Sequence, residues 1–224
     1  MRQSVNAYLL RVMAQRVLGL LLYLLGSWWA LSVRAGIFFG CYFVFAIASM
    51  AVMVRVSPQT LAARGTPASN TPAWDKLLLG AYWILSFFAV YLAAGISAKT
   101  APEIGVVFWV GIALQALASA LSLWALAVNP FLESTARIQS DRNQTVCKSG
   151  PYAFVRHPTY SSVVLWCVSV SMVFESIPVA VIALAALAII VVRTALEDAM
   201  LRRELAGYAA YARQVRFRLI PFIW

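Results

Sequence analysis

Residues 156–193 read RHPTYSSVVLWCVSVSMVFESIPVAVIALAALAIIVVR. Between Arg156 and Glu175 lie 18 uncharged residues, and between Glu175 and Arg193 another 17. A membrane-spanning helix needs roughly 17–25 mainly apolar residues. The stretch therefore predicts two spans, the shortest pair in the chain, joined through Glu175-Ser176-Ile177-Pro178 as a tight helical hairpin.

The same reading extends outward. Uncharged runs of 17, 20 and 22 residues lie between Arg16 and Arg34, Arg34 and Arg55, and Lys76 and Lys99. A fourth, of 29 residues, lies between Glu103 and Glu133 and is usable as a span up to Asn129-Pro130. With the hairpin this makes about six transmembrane helices, an all-α polytopic membrane protein. Composition agrees: of 224 residues 62% are hydrophobic and only 12% charged, about half the charge of an average globular domain. A water-soluble surface and a disordered chain are both excluded on those figures.

The formal charge of +10 is mostly topology. With the N-terminus inside, the inner segments are 1–16, 55–76, 129–158 and everything after Arg193, and they carry 16 of the 18 Lys and Arg. Only Arg34 and Lys99 fall outside, a strong positive-inside bias. The expectation is a multi-pass protein with both termini cytoplasmic, in a bacterial inner membrane or an equivalent one. Pro58 to Trp74, rich in Pro, Ser, Thr and Ala, reads as an irregular loop. The tail from Arg193 keeps helical spacing to about Arg213. Basic residues follow span ends rather than alternating with stacking aromatics, so no nucleic-acid partner is expected.

Two clusters stand out from this topology. Gly150-Pro151-Tyr152 is followed by Arg156-His157-Pro158-Thr159-Tyr160, with Pro158 at the first helical position, where its missing N–H costs nothing. His157, the only histidine, then sits at a helix N-terminus, where free N–H groups and the dipole favour an anion. A helix-capping turn with aromatic interface anchors is the plainer reading. The second cluster, Arg193, Glu197, Asp198 and Glu204, follows the last span. Arg193 and Glu197 share a face at i,i+4, and a simple intrahelical ion pair would account for them in isolation. Both clusters, however, flank one hairpin on one side, and ionisable groups this close to hydrocarbon usually face a polar cavity. The three cysteines lack metal-ligand spacing, and one histidine cannot make a two-His set, so no metal is expected. There is no phosphate-binding loop and no Ser-His-Asp set.

Taken in order, Gly150-Pro151-Tyr152, Arg156-His157-Pro158-x-Tyr160, Arg193-x-x-x-Glu197-Asp198, Gly207-Tyr208-x-x-Tyr211 and Arg218-Leu219-Ile220-Pro221 resemble the isoprenylcysteine carboxyl methyltransferase family of membrane-embedded enzymes. The resemblance covers about residues 124–224. It implies an O-methyltransferase that moves a methyl group from S-adenosylmethionine to the carboxylate of a lipophilic acceptor, such as an isoprenylcysteine, arriving from the bilayer. It implies a cytosolic-side cofactor pocket in a catalytic region, 129–224, with residues 1–128 supplying four helices and the acceptor entrance. Residue by residue, it implies that Gln139, Gln144, Thr145, Val146, Cys147, Tyr152, His157, Pro158, Thr159, Tyr160 and Glu197 contact the cofactor. Arg193 would bind the acceptor carboxylate, and Arg193 and Glu197 together would be catalytic. Gln144 stands where eukaryotic members have a His, and Asp198 where the family often has a second Glu. A carboxylate acceptor needs no general base, which suits a chain with a single histidine; an amine or hydroxyl would be more demanding.

Alternatives remain open at this point. One is methylation of another lipid or of a small thiol or amine. Another is an NADPH enzyme similar to the sterol reductases, which share an Arg-His-Pro-x-Tyr segment but are longer. A non-enzymatic scaffold is the third. The sequence assigns no oligomeric state.

Overall fold

Each long uncharged stretch becomes a helix. In the computed structural model, which describes residues 2–66 and 70–224, the order is α1 (Arg2–Gly26), α2 (Val33–Val56), α3 (Pro58–Gly65), α4 (Ala73–Ile96), α5 (Val106–Val128), α6 (Pro158–Phe174), α7 (Ile177–Glu204) and α8 (Tyr208–Gln214). No strand occurs among the described residues. α1, α2, α4, α5 and α7 are long and apolar enough to cross a membrane, and α6 is a shorter apolar helix of 17 residues. Helices suit such segments because hydrocarbon offers the backbone no outside hydrogen-bond partner.

Three expectations change. The first helix begins at Arg2, well before the uncharged run, so Arg11 and Arg16 ride on α1 itself. The uncharged run misplaced the boundary because an arginine does not break a helix; it only needs a polar direction to point in. Second, α3 replaces the first half of the loop expected over Pro58–Trp74, with Pro58 in its first turn, where proline is pre-organised for helix. Residues 67–69 of that loop lie outside the described residues. Third, the hairpin forms as expected, but α7 is the longest helix, 28 residues, because it runs on through Arg193 to Glu204. That extension carries the second polar cluster.

Glu175, in the left-handed region (φ 45°), caps α6 and turns the chain into α7. Buried Arg34 closes this turn: it donates to the carbonyl of Val173, to Glu175 at 2.9 Å and to the carbonyls of Pro102 and Glu103. A buried guanidinium is tolerable only when its donors are satisfied in this way.

α1 and α4 pack backbone to backbone. A Cβ on Gly95 would lie 2.2 Å from the Tyr23 carbonyl oxygen, and one on Gly26 2.6 Å from that of Leu92. Small residues allow such approach where lipid supplies no hydrophobic drive between helices. Tyr23, Phe38, Phe39, Tyr91 and Phe174 fill the shared core. Within α4, residues Ile84–Ala89 form a π-helical turn, and the Ser86 hydroxyl donates to the Tyr82 carbonyl at 2.7 Å. Such bulges often border functional sites; here Tyr82, Trp83, Ser86 and Phe87 face a cavity.

Candidate functional site

The extension of α7 is organised around Asp198, which is fully buried. Its Oδ1 accepts from Arg156 Nε at 2.7 Å and the Tyr208 hydroxyl at 2.9 Å, and its Oδ2 from Arg202 Nε at 2.9 Å and Arg218 Nε at 3.1 Å. His157 Nε2 lies 3.5 Å from Oδ1. Arg156 also donates to the carbonyls of Val215 and Arg216, and the N–H groups of Arg156 and His157 donate to the carbonyls of Phe217 and Arg218 at 3.0 Å. Asp198 thus straps the C-terminal tail onto the N-terminus of α6. Its bonds are spent on the scaffold. Burial, followed by the Asp198 charge, pushes the Tyr208 hydroxyl far above its ordinary range, so it stays a proton donor.

Arg193 and Glu197 share a face, as i,i+4 spacing requires, but they are not a simple ion pair. Buried Arg193 donates through Nε to Asp75 Oδ1 at 2.6 Å and through Nη2 to the Ser134 carbonyl at 2.8 Å, and its guanidinium lies 5.3 Å over the Tyr160 ring. The other oxygen of Asp75 accepts from the Ala136 N–H at 2.9 Å. Arg193 Nη1 makes no hydrogen bond among the described residues. Glu197 accepts from the Tyr160 hydroxyl and has no cationic partner among the described residues. The rings of His157 and Tyr160 are parallel, 5.6 Å apart at 3°, because the His caps α6 and the Tyr follows on its first turn.

The connection from α5 to α6 is held from within. Arg137 bridges Glu133 at 2.8 Å and Asp141 at 2.7 Å. Its hydrogen bond holds the exposed Asp141 carboxyl below the usual range. The Gln144 side chain accepts from the Gln139 N–H at 2.8 Å, and the buried Gln139 amide donates to the Phe131 carbonyl while accepting from Arg142. Gly150 (φ 59°) starts the turn that places Tyr152 under Tyr211, whose hydroxyl donates to the Tyr152 carbonyl at 2.7 Å.

These parts enclose a cavity of about 420 Å³. Its walls include Gln139, Gln144, Thr145, Val146, Cys147 and Tyr152 from the connection, His157, Thr159 and Tyr160 from the start of α6, and Arg193 and Glu197 from α7. Of the residues expected at the site, Pro158 alone is absent from the walls; it is the buried first residue of α6. The far walls come from α1, α2, α4 and α5, where apolar residues such as Phe45, Met50, Leu79 and Trp166 join polar ones. Glu133 and Glu197 are the only carboxylates among the lining residues, and Glu133 is already paired with Arg137. Glu197 is therefore the negative charge left for a ligand. The Tyr152 hydroxyl is buried without a partner, an open hydrogen-bonding position, and burial keeps it protonated. Among the described residues no group of His, Cys, Asp and Glu is placed to hold a metal ion.

Sequence reasoning missed Asp75, and it assigned no task to Arg156, Tyr208 or Tyr211. The tyrosines and Arg156 were present in the motifs; nothing in the linear sequence marks Asp75, since its partner is distant.

Comparison with known proteins agrees with the motif reading. Residues 109–203 match the model of the Isoprenylcysteine carboxyl methyltransferase (ICMT) family. The match takes in α6, nearly all of α7 and the connection before them; the tail that clamps onto Asp198 lies beyond it. No curated protein matches the chain.

Proposed function

We propose that the chain is an integral-membrane O-methyltransferase that takes a methyl group from S-adenosylmethionine and delivers it to the carboxylate of a lipophilic acceptor. One observation carries the reading: an unpaired carboxylate (Glu197), a stacked His157–Tyr160 pair, an unpartnered buried hydroxyl (Tyr152) and a neutralised arginine (Arg193) meet in a cavity that continues among apolar spans. The family match to residues 109–203 supports the same reading.

The donor set suits a zwitterionic cofactor bearing a positive sulfur. Glu197 attracts a cation, and the Tyr152 hydroxyl offers a hydrogen bond. Gln144, Thr145, Val146 and Cys147 would line the side of the pocket. When bound, the cofactor supplies an electrophilic methyl group, which an ionised carboxylate can accept without a general base. The remaining work is orientation and exclusion of water. Arg193 keeps one nitrogen, Nη1, for orienting a carboxylate, and Asp75 fixes the plane of its guanidinium. As an always-charged group, it needs no change of protonation.

The test is calorimetry of the purified protein in nanodiscs with S-adenosylhomocysteine, followed by label transfer from tritiated S-adenosylmethionine to prenylcysteine analogues and to total membrane lipid. Saturable heat and a labelled methyl ester that is released by mild base are expected. Absence of heat in both detergent and nanodiscs would remove the cofactor assignment. Label recovered only on nitrogen or sulfur would overturn the carboxylate assignment.

A further inference from the structure

We propose that the cavity contains a second, anion-binding subsite, built from Arg16 of α1 and Tyr42 of α2, that reads the negative charge of the lipophilic acceptor before reaction. The proposal deepens the methyltransferase reading and rests on it for the identity of the occupant as the acceptor.

Arg16 lies 14 residues into α1, about 21 Å along the axis at 1.5 Å per residue. An ionisable group within a membrane span faces a partner or a polar cavity, and Arg16 lines the cavity. Its guanidinium lies 4.1 Å over the Tyr42 ring. Among the described residues, two buried polar atoms at this place make no hydrogen bond: Arg16 Nε and the hydroxyl of Tyr42, a residue only 4% exposed. Neither has a carboxylate nearby among the lining residues, since Glu133 belongs to Arg137 and Glu197 to Tyr160.

Three of the cavity's other arginines, Arg137, Arg156 and Arg193, are neutralised by Glu133, Asp198 and Asp75 respectively. Arg16, like Arg11 and Arg64 in the same walls, has no carboxylate partner among the described residues. A cation–π contact does not satisfy an N–H donor, so Arg16 Nε is left for an acceptor that the described residues do not supply. Gln15 and Arg11 of the same helix also line this part of the cavity, adding donors and positive potential. The cavity is thus polarised: Glu197 at one wall attracts a cation, and Arg16 at another attracts an anion. A carboxylate carried on a hydrocarbon body meets the second demand, with its apolar part among Phe45, Met50 and Leu123. An anionic phospholipid headgroup has related chemistry, and the experiment separates the two.

The test uses full-length protein in phosphatidylcholine nanodiscs without cofactor. The probes are farnesylthioacetate and its primary amide, read by quenching of tryptophan fluorescence, as Trp83 and Trp166 line the cavity. The carboxylate is expected to bind about tenfold more tightly than the amide, a factor typical of one charge-assisted hydrogen-bonded contact. Arg16→Gln should cut the preference several-fold, to what Arg193 alone supplies, Arg16→Lys should keep more of it, and Tyr42→Phe should reduce it. Should Arg16→Gln fail to fold, the Lys and Phe variants carry the comparison. An undiminished preference in monodisperse Arg16→Gln, or its absence in the wild type, overturns the proposal. Adding phosphatidylglycerol to the discs should leave the preference intact; its loss would assign the subsite to lipid headgroups and overturn the acceptor assignment. The measurement needs no cofactor, so its failure is distinct from a failure of S-adenosylhomocysteine to bind.

Discussion

Arg193 and Asp75 are 118 positions apart in the chain, yet they form a buried ion pair with Nε 2.6 Å from Oδ1. The pair joins the start of α4 to the polar end of α7 and ties the Ser134–Ala136 backbone to both. Asp75→Ala would leave a buried guanidinium uncompensated, which typically costs about 3–5 kcal/mol. A lower unfolding midpoint in detergent is expected. The double variant Asp75→Ala/Arg193→Leu should recover part of the loss, and additive losses would show that the pair is not coupled.

Glu197 differs in kind, for among the described residues its single side-chain partner is the Tyr160 hydroxyl. Glu197→Gln retains an acceptor for that hydroxyl, so stability should change by about 1 kcal/mol or less. Affinity for S-adenosylhomocysteine, measured by calorimetry, should fall by at least about tenfold if one charge-assisted contact is lost. Unchanged affinity would remove Glu197 from the cofactor site.

The arginines around Asp198 should be unequal. Arg156 is buried, with side-chain exposure of 2%, whereas that of Arg202 is 41%. Arg202→Ala is expected to cost about 0.2–1 kcal/mol, as exposed pairs do, and Arg156→Ala about 3–5 kcal/mol. Arg156→Ala should also free the tail, read as protease cleavage within residues 215–224. Equal midpoints for the two variants would contradict the strap.

Close helix contact can be tested at Gly95. An added methyl there meets a backbone carbonyl that cannot rotate away, so Gly95→Ala should destabilise by about 1–3 kcal/mol through overpacking. Gly40→Ala in α2, where nothing lies within 4 Å, should be neutral or stabilising by up to about 1 kcal/mol. Thermal unfolding of the two proteins side by side decides it.

Alkaline sensitivity follows from Tyr152 and Tyr208. Burial raises both hydroxyls above the ordinary tyrosine range, and the Asp198 charge raises Tyr208 further. A group whose folded value is raised gives its full stability below the unfolded value and loses it as pH rises through the folded one. Unfolding midpoints should therefore hold steady to about pH 10, the unfolded tyrosine value, and decline above it. Tyr152→Phe should decline less steeply; an identical slope would exclude Tyr152 as a contributor.

The spans were legible because hydrocarbon imposes a length on uncharged runs, and the hairpin at Glu175 and the grouping of His157, Tyr160 and Glu197 followed from local spacing. Helix ends were less legible. Arg16 and Arg193 look like boundaries in a linear reading, but both lie inside helices whose charges turn toward a cavity. The task of Asp198 was hidden as well: of the three arginines that occupy it only Arg202, four residues on, is local, while Arg156 precedes the hairpin and Arg218 follows it.

By itself the sequence determined a membrane-spanning helical chain with its polar chemistry at one end, because length, hydropathy and helical period act locally. Only the tertiary structure decided which charges are available to a ligand. Asp75 neutralises Arg193 and three arginines consume Asp198, while among the described residues Glu197 has no cationic partner and Arg16 no carboxylate. Whether a buried charge is scaffold or site depends on a partner's distance in space, which spacing along the chain does not encode.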